Sequence, residues 1–172
     1  DGFEEVEATT SIDFLRRADI QVTIVGVTGT SVTGGHGIVI ETDTTIDTYN
    51  DMPEAIVIPG GDGGAENISA SRQSIDLIRT VADSGGLVAS ICASPGVVLA
   101  QNGLINGKTA TCYPGFEKYF SNTRFSSDRV VVDGRLITSR GPGTAAEFAM
   151  AVIRYLLGDE AAKKVHDATL QP

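Results

Sequence analysis

Two short runs, Ala55–Ile58 and Leu87–Ile91, restrict what this chain can fold into more than any other feature. The first is wholly apolar and the second carries one small hydroxyl. A strand apolar at successive positions is covered on both faces, as a parallel strand between helices is. Each run ends in a turn of small residues, Pro59-Gly60-Gly61 after the first and Cys92-Ala93-Ser94 after the second. Ligands of open α/β sheets bind at these carboxyl ends of strands. The rest of the chain has to supply the helices and strands that complete such a sheet.

The order of elements agrees. Glu4 and Glu5 open a helix in which Ala8, Ile12 and Leu15 follow at helical spacing. Residues 21–27 alternate and are β-branched, which predicts a strand, and residues 31–40 read as two short extended pieces around Gly34-Gly35. A helix is predicted over residues 74–82 and another from Pro95, whose missing N–H suits a first helical turn. Residues 129–132 and 136–138 flank Asp133-Gly134, a hairpin signal. Thr144-Ala145-Ala146-Glu147 reads as a capping box opening a helix with Phe148, Val152 and Leu156 that stops at Gly158; a last helix spans residues 160–168. Alternating strands and helices predict one α/β domain over residues 1–172, with a mostly parallel sheet covered on both faces. Asp1-Gly2 opens directly into a helix, although such folds normally begin with a central apolar strand, so a first strand is expected to be missing from the numbered chain.

The net charge of −9 over 172 residues, with scattered basic residues, gives no support to nucleic-acid binding. No apolar run approaches the roughly 20 residues of a membrane span, and no secretory signal is visible. Two cysteines make no disulfide framework, which favours a reducing, cytoplasmic setting. Two cysteines and two histidines, widely separated, show no metal-ligand spacing, so no metal or cofactor is expected.

Cys92 is the candidate nucleophile. A cysteine between a buried strand and a helix start, crowded by small residues, matches a nucleophile elbow. A helix N-terminus there favours the thiolate. The alternative is a small buried hydrophobe, as most free cysteines are. Gly60-Gly61 lacks the Lys-Ser/Thr ending of a phosphate loop, yet Gly61 and Ala93 are placed to offer amides to a developing oxyanion. His36 lies in a glycine-rich loop and His166 in a terminal helix. Among the carboxylates, one of Glu4, Glu5 and Glu7 is placed to reach the Cys92 turn; helix-dipole compensation accounts for the others.

These motifs, in this order, resemble the DJ-1/PfpI (ThiJ) superfamily, in its DJ-1-like branch, over essentially the whole chain. Gly2-Phe3-Glu4-Glu5-Val6-Glu7 is similar to its opening motif, Ile58-Pro59-Gly60-Gly61 to its glycine loop and Ala89-Ser90-Ile91-Cys92-Ala93 to its cysteine elbow. Residues 138–144, from Thr138 through Ser139 and Arg140 to Thr144, are similar to its late signature. The resemblance implies a flavodoxin-like three-layer sandwich of the class I glutamine amidotransferase type and a homodimer. It implies Cys92 as a redox-sensitive nucleophile, Glu7 as a protonated carboxyl bonded to the thiolate, and Gly61 and Ala93 as amide donors. Gly60, Tyr113, His36 and Arg140 fall near the site, with Ser139 and Arg140 near it or the dimer interface. The chain departs from the pattern at Tyr113, where many relatives have a histidine before the proline, and at His36, where close relatives often have an arginine. Ala93 after Cys92 removes the protease-like Cys-His pair of the other branch, so peptidase activity is not expected.

The implied activity is cofactor-independent conversion of 2-oxoaldehydes such as methylglyoxal to hydroxy acids, as in glyoxalase III, or release of early glycation adducts as a deglycase. The competing expectation is a redox sensor or protective chaperone with little turnover, and a third is an inert structural relative.

Overall fold

The computed structural model describes residues 1–171. Helix α1 (Glu5–Arg17) leads into an extended segment in which only Val25–Gly26 (β1) forms ladder bonds; Ser31–Thr33 (β2) and Val39–Glu41 (β3) pair as an antiparallel ribbon, and Thr44–Thr45 (β4) runs parallel to β1. Strand β5 (Ala55–Ile58) is followed by helices α2 (Asp62–Ala70) and α3 (Arg72–Asp83), then by β6 (Leu87–Ile91). Beyond it come a π-helical turn (Pro95–Ala100), the short strands β7 (Thr109–Ala110) and β8 (Arg124–Phe125), and β9 (Val130–Asp133) with β10 (Leu136–Ser139). Helices α4 (Ala145–Leu157) and α5 (Asp159–Ala168) close the chain.

The main sheet has the order β5-β6-β10-β9, parallel except for the β9–β10 hairpin. All five positions of β6 and all four of β10 are buried, as strands covered on both faces must be. On one face Leu87, Ala89, Ile91 and Ile137 pack against Phe14, Phe148 and Val152 of α1 and α4, with α5 outside. On the other face Ile58, Val88 and Leu136 meet Ala65, Ile75 and Ile78 of α2 and α3 and Val97–Leu99 of the π turn. The result is the expected flavodoxin-like three-layer α/β sandwich.

Several local expectations are corrected. The strand expected over residues 21–27 shrinks to Val25–Gly26, because only its β4 side finds a partner strand. Helix α2 was hidden by Gly63 and Gly64, poor helix formers. A Cβ on Gly64 would stand 2.8 Å from the Phe3 Cα, so glycine lets this helix lie against the N-terminal segment. The capping box does not form. Thr144 is the N-cap of α4, but its hydroxyl donates to the Gly141 carbonyl, accepts from the Gly141 N–H and meets the Ser139 hydroxyl, while Glu147 pairs with Arg129. Asp133 is the last residue of β9, and the tight hairpin turn is Gly134-Arg135.

Candidate active site

Cys92 follows directly on β6 and has φ +68°, a left-handed conformation that disfavours every residue with a Cβ. Such strain costs about 1–2 kcal/mol and survives only where the surroundings over-determine it. They do here. The Cys92 N–H donates to the Ser139 carbonyl of β10 at 3.0 Å, and the Cys92 carbonyl accepts from the Tyr113 N–H at 2.8 Å. Ser94 ties the turn to the glycine loop, its hydroxyl donating to the Pro59 carbonyl at 2.6 Å. The side chain is thereby turned out of the strand toward that loop, with 8% of the residue exposed.

The loop presses back. A Cβ on Gly60 would lie 2.5 Å from the Cys92 Cβ, 2.7 Å from the Glu7 Oε2 and 3.1 Å from the Cys92 Sγ, so thiol, carboxyl and loop backbone share one point of close approach. Gly61 has φ +88°, and its own Cβ would strike the Gly2 carbonyl oxygen at 2.3 Å. Both glycines are therefore required, one for space and the other for space and conformation. The amides of Gly61 and Ala93 act on the Cys92 thiol, each lowering its pKa.

Glu7 arrives from the first turn of α1. The Glu4 carboxylate caps that helix by accepting the Glu7 N–H at 2.8 Å, and the Glu4 N–H donates to the Gly60 carbonyl at 3.0 Å. The Gly60 N–H donates to the Glu7 Oε2 at 2.7 Å. Gly60 thus holds both the start of the helix and the carboxyl it delivers. Glu7 is fully buried. Burial pushes its carboxyl up to about 7, against the Gly60 amide and the Cys92 thiol, which lower it; the Glu4 charge adds to the rise.

Burial likewise pushes the Cys92 thiol up, to about 12; the charge and hydrogen bonding of a Glu7 carboxylate add to this, and the Gly61 and Ala93 amides oppose it. The sequence expected a helix N-terminus to lower this thiol. Instead the following turn is π-helical and burial dominates, with the Gly61 and Ala93 amides opposing the rise.

The other candidates divide. Gly60, Gly61, Ala93 and Glu7 converge on Cys92. Tyr113 touches it through the backbone and packs its ring near Gly141, half-exposed. His36 points elsewhere: its ring, 76% exposed, sits 2.8 Å from Glu5 Oε2, while its N–H donates to Glu5 Oε1 at 2.6 Å. These bonds hold the Glu5 carboxyl down, at about 2, and raise the His36 imidazole. Arg140 donates to the Ser127 carbonyl and lies over the Phe125 ring, where its charge acts on Cys112. Glu4, one of the three carboxylates expected as candidates for the thiol's partner, instead caps α1 ahead of Glu7, and Ser94, which the sequence did not mark, has as its signal a hydroxyl two residues past the elbow.

Among the described residues one group, Glu4, Glu5 and His36, brings possible metal ligands within 4.8 Å of one another. The Glu4 and Glu5 carboxylates already accept the hydrogen bonds named above, so nothing points to an ion there.

The DJ-1/PfpI family model matches residues 1–155. The chain is 41% identical to the protein dj-1beta of Drosophila melanogaster over 168 residues, covering 95% of this chain and 89% of that protein. The crystal structure of that Drosophila protein superposes with a TM-score of 0.95 at 40% identity, over 98% of this chain and 92% of the other. The structure of oxidized Toxoplasma gondii DJ-1 matches with a TM-score of 0.94 at 38% identity, over 98% and 92%. A Caenorhabditis elegans protein named glutathione-independent glyoxalase DJR-1.2 is 35% identical over 159 residues, covering 91% of this chain and 84% of that one.

Proposed function

The chain belongs to the DJ-1/PfpI family, and on that premise we propose that it is a cofactor-independent, cysteine-dependent enzyme converting 2-oxoaldehydes such as methylglyoxal to hydroxy acids. The observation that carries this reading is the meeting of the Cys92 thiol and the buried Glu7 carboxyl at Gly60, with amides of Gly61 and Ala93 on the sulfur. The naming of the C. elegans relative as a glutathione-independent glyoxalase supports it.

A carboxyl raised to about 7 keeps its proton through much of the neutral range. In that state it places no charge beside the sulfur and donates a hydrogen bond to it, so a thiolate formed as substrate is attacked has the carboxyl as its partner. The thiolate attacks the aldehyde carbon of methylglyoxal, forming the S–C bond, and the resulting alkoxide takes the Glu7 proton to give a hemithioacetal. The Glu7 carboxylate then removes the hydrogen from that carbon and returns a proton to the neighbouring carbon, while the hydroxyl proton passes from the first oxygen to the second, giving the 2-hydroxy thioester. One carbon is oxidised and the other reduced, with no external electron carrier. Water hydrolyses the resulting thioester, releasing lactate and restoring the thiol. Release of glycation adducts, the deglycase activity, would begin with attack by the same thiolate. Peptide hydrolysis lacks the histidine it would need beside Cys92.

The test is incubation with methylglyoxal in the absence of glutathione, with D- and L-lactate assayed. Wild-type protein should form lactate, and Cys92→Ser should lose at least about 100-fold; equal turnover by the two would refute the reading.

A second reading, a redox sensor or protective chaperone, draws on the same geometry. Oxidation of the Cys92 thiolate to the sulfinic acid would place anionic oxygens beside a carboxyl that keeps its proton. We further propose a homodimer in the cytoplasm: Val6, Ile38 and Val39 are exposed around the Glu5–His36 pair and offer an apolar face to a second copy.

A further inference from the structure

The left-handed Cys92 is gripped through its backbone on both sides. Its N–H donates to the Ser139 carbonyl at 3.0 Å, and its carbonyl accepts from the Tyr113 N–H. Two residues before Tyr113, the Thr111 N–H donates to the buried Thr138 hydroxyl at 2.9 Å. The Tyr113 ring rests on Gly141, where a Cβ would lie 3.1 Å from the ring. Both backbone ties of residue 92 therefore lead back to residues 138–144.

Two hydroxyls hold this segment from within. Ser139 is completely buried and Thr144 nearly so. The Ser139 hydroxyl donates to the Arg129 carbonyl at 2.8 Å and stands 2.6 Å from the Thr144 hydroxyl. The Thr144 oxygen accepts the Gly141 N–H at 3.1 Å. The Gly141 carbonyl already accepts the Thr144 N–H at 2.8 Å, so the Thr144 hydroxyl proton is shared between that carbonyl and Ser139. A run of bonds thus passes from the Gly141 N–H through both hydroxyls to the Arg129 carbonyl, just ahead of β9. A threonine at a helix N-cap ordinarily turns its oxygen to the free amides of the first turn. Thr144 makes no such bond to α4. Its hydroxyl serves the loop behind it, and removing that hydroxyl would strand the buried Gly141 N–H.

We propose that Ser139 and Thr144 are positioning residues for the nucleophile: their hydroxyl pair holds the carbonyl that takes the Cys92 N–H, and with it the left-handed backbone that aims the sulfur at Gly60 and Glu7. The proposal rests on the reading of Cys92 as the nucleophile of aldehyde conversion. Each hydroxyl acts on the thiol through backbone, by way of the Ser139 carbonyl and of Gly141 beneath the Tyr113 ring. Without the pair, residue 92 relaxes toward negative φ, where a residue with a Cβ is at ease, and its side chain turns away from its partners.

The test compares Thr144→Val, Thr144→Ser and Ser139→Ala with wild type. Lactate formation from methylglyoxal is one readout, and iodoacetamide alkylation of Cys92, followed by peptide mass from about pH 6 to about pH 10, is the other. Thr144→Val keeps the shape and loses the hydroxyl; it should lower kcat at least about tenfold, hold KM within about threefold and slow alkylation at least about fivefold at each pH. Ser139→Ala should behave alike, and it carries the comparison where Thr144→Val does not fold. Thr144→Ser keeps the hydroxyl and should stay within about threefold of wild type in both readouts. Val165→Ala, a core cavity in α5, should lower the thermal midpoint and leave alkylation unchanged. Wild-type alkylation rates in Thr144→Val and Ser139→Ala would overturn the proposal, whatever their thermal midpoints. So would a Thr144→Ser variant as slow as Thr144→Val. Alkylation needs no aldehyde, so a wild type that forms no lactate would remove the proposed activity alone, and the alkylation rates would still decide the positioning role.

Discussion

Cys92 and Cys112 are both buried, and burial pushes both thiols up to about 12. Their neighbours differ. Cys112 meets the Glu117 charge, which raises it further, and the Arg140 charge, which opposes that. Cys92 meets a carboxyl that itself tends to hold a proton, together with two backbone amides. Burial alone makes an inert thiol. A buried thiol becomes a nucleophile where the groups around it can take up or supply a proton at short range, and where its backbone is held so that the sulfur faces them.

The sharpest way to break this comparison is to remove each sulfur in turn. Cys112→Ser should keep lactate formation within about threefold of wild type, against the loss of at least about 100-fold expected for Cys92→Ser. Intact-mass measurement after mild peroxide should find two added oxygens at Cys92 and none at Cys112. Comparable losses, or oxidation at Cys112 first, would end the distinction.

Gly60→Ala comes next. Its methyl has to displace the Cys92 Cβ or the Glu7 carboxyl, both within 2.7 Å of where it would stand. Overpacking of this kind costs about 1–3 kcal/mol in stability, and turnover should fall at least tenfold because the two reacting groups move apart. Unchanged turnover at lowered stability would show that their spacing matters little.

Glu7 gives a pH signature. Its folded pKa is raised from the ordinary 4.5 to about 7, so the folded state binds the extra proton and the associated stability is present below pH 4.5 and lost as pH rises through 7. Denaturant titrations of wild type and Glu7→Gln should therefore diverge over this range, wild type losing on the order of 3 kcal/mol relative to the variant. The His36 contribution falls in the same direction and cancels in the difference. Parallel curves would mean that Glu7 titrates normally. The smallest effect expected is that of Tyr113→Phe: its phenol is half-exposed, and the tie to Cys92 is through the backbone, so KM should rise no more than about threefold and kcat should hold.

Much of this was legible from the residues. Ala55–Ile58 and Leu87–Ile91 are the strands their apolar runs predict, to the residue, because a strand buried on both faces writes its limits directly into hydrophobicity. The family was legible because four motifs occur in order. Less visible were features set by contacts distant in sequence. Thr144 has the spacing of a capping box, yet its hydroxyl is drawn to Gly141 and Ser139 across the loop. Helix α2 carries two glycines whose reason lies at Gly2 and Phe3, some 60 positions earlier in the chain. The rise of the Cys92 thiol depends on burial against Glu7 of α1 and the Gly60 loop, far away in sequence, which no local pattern around residue 92 records.

The left-handed backbone at position 92 sets stability and activity against each other. Glycine would adopt φ +68° without the penalty a Cβ incurs. A library randomised at this position and sorted for heat resistance alone should therefore return glycine, and the same library sorted for growth on a toxic aldehyde should return cysteine. Directed evolution toward a hardier scaffold would discard the thiol first.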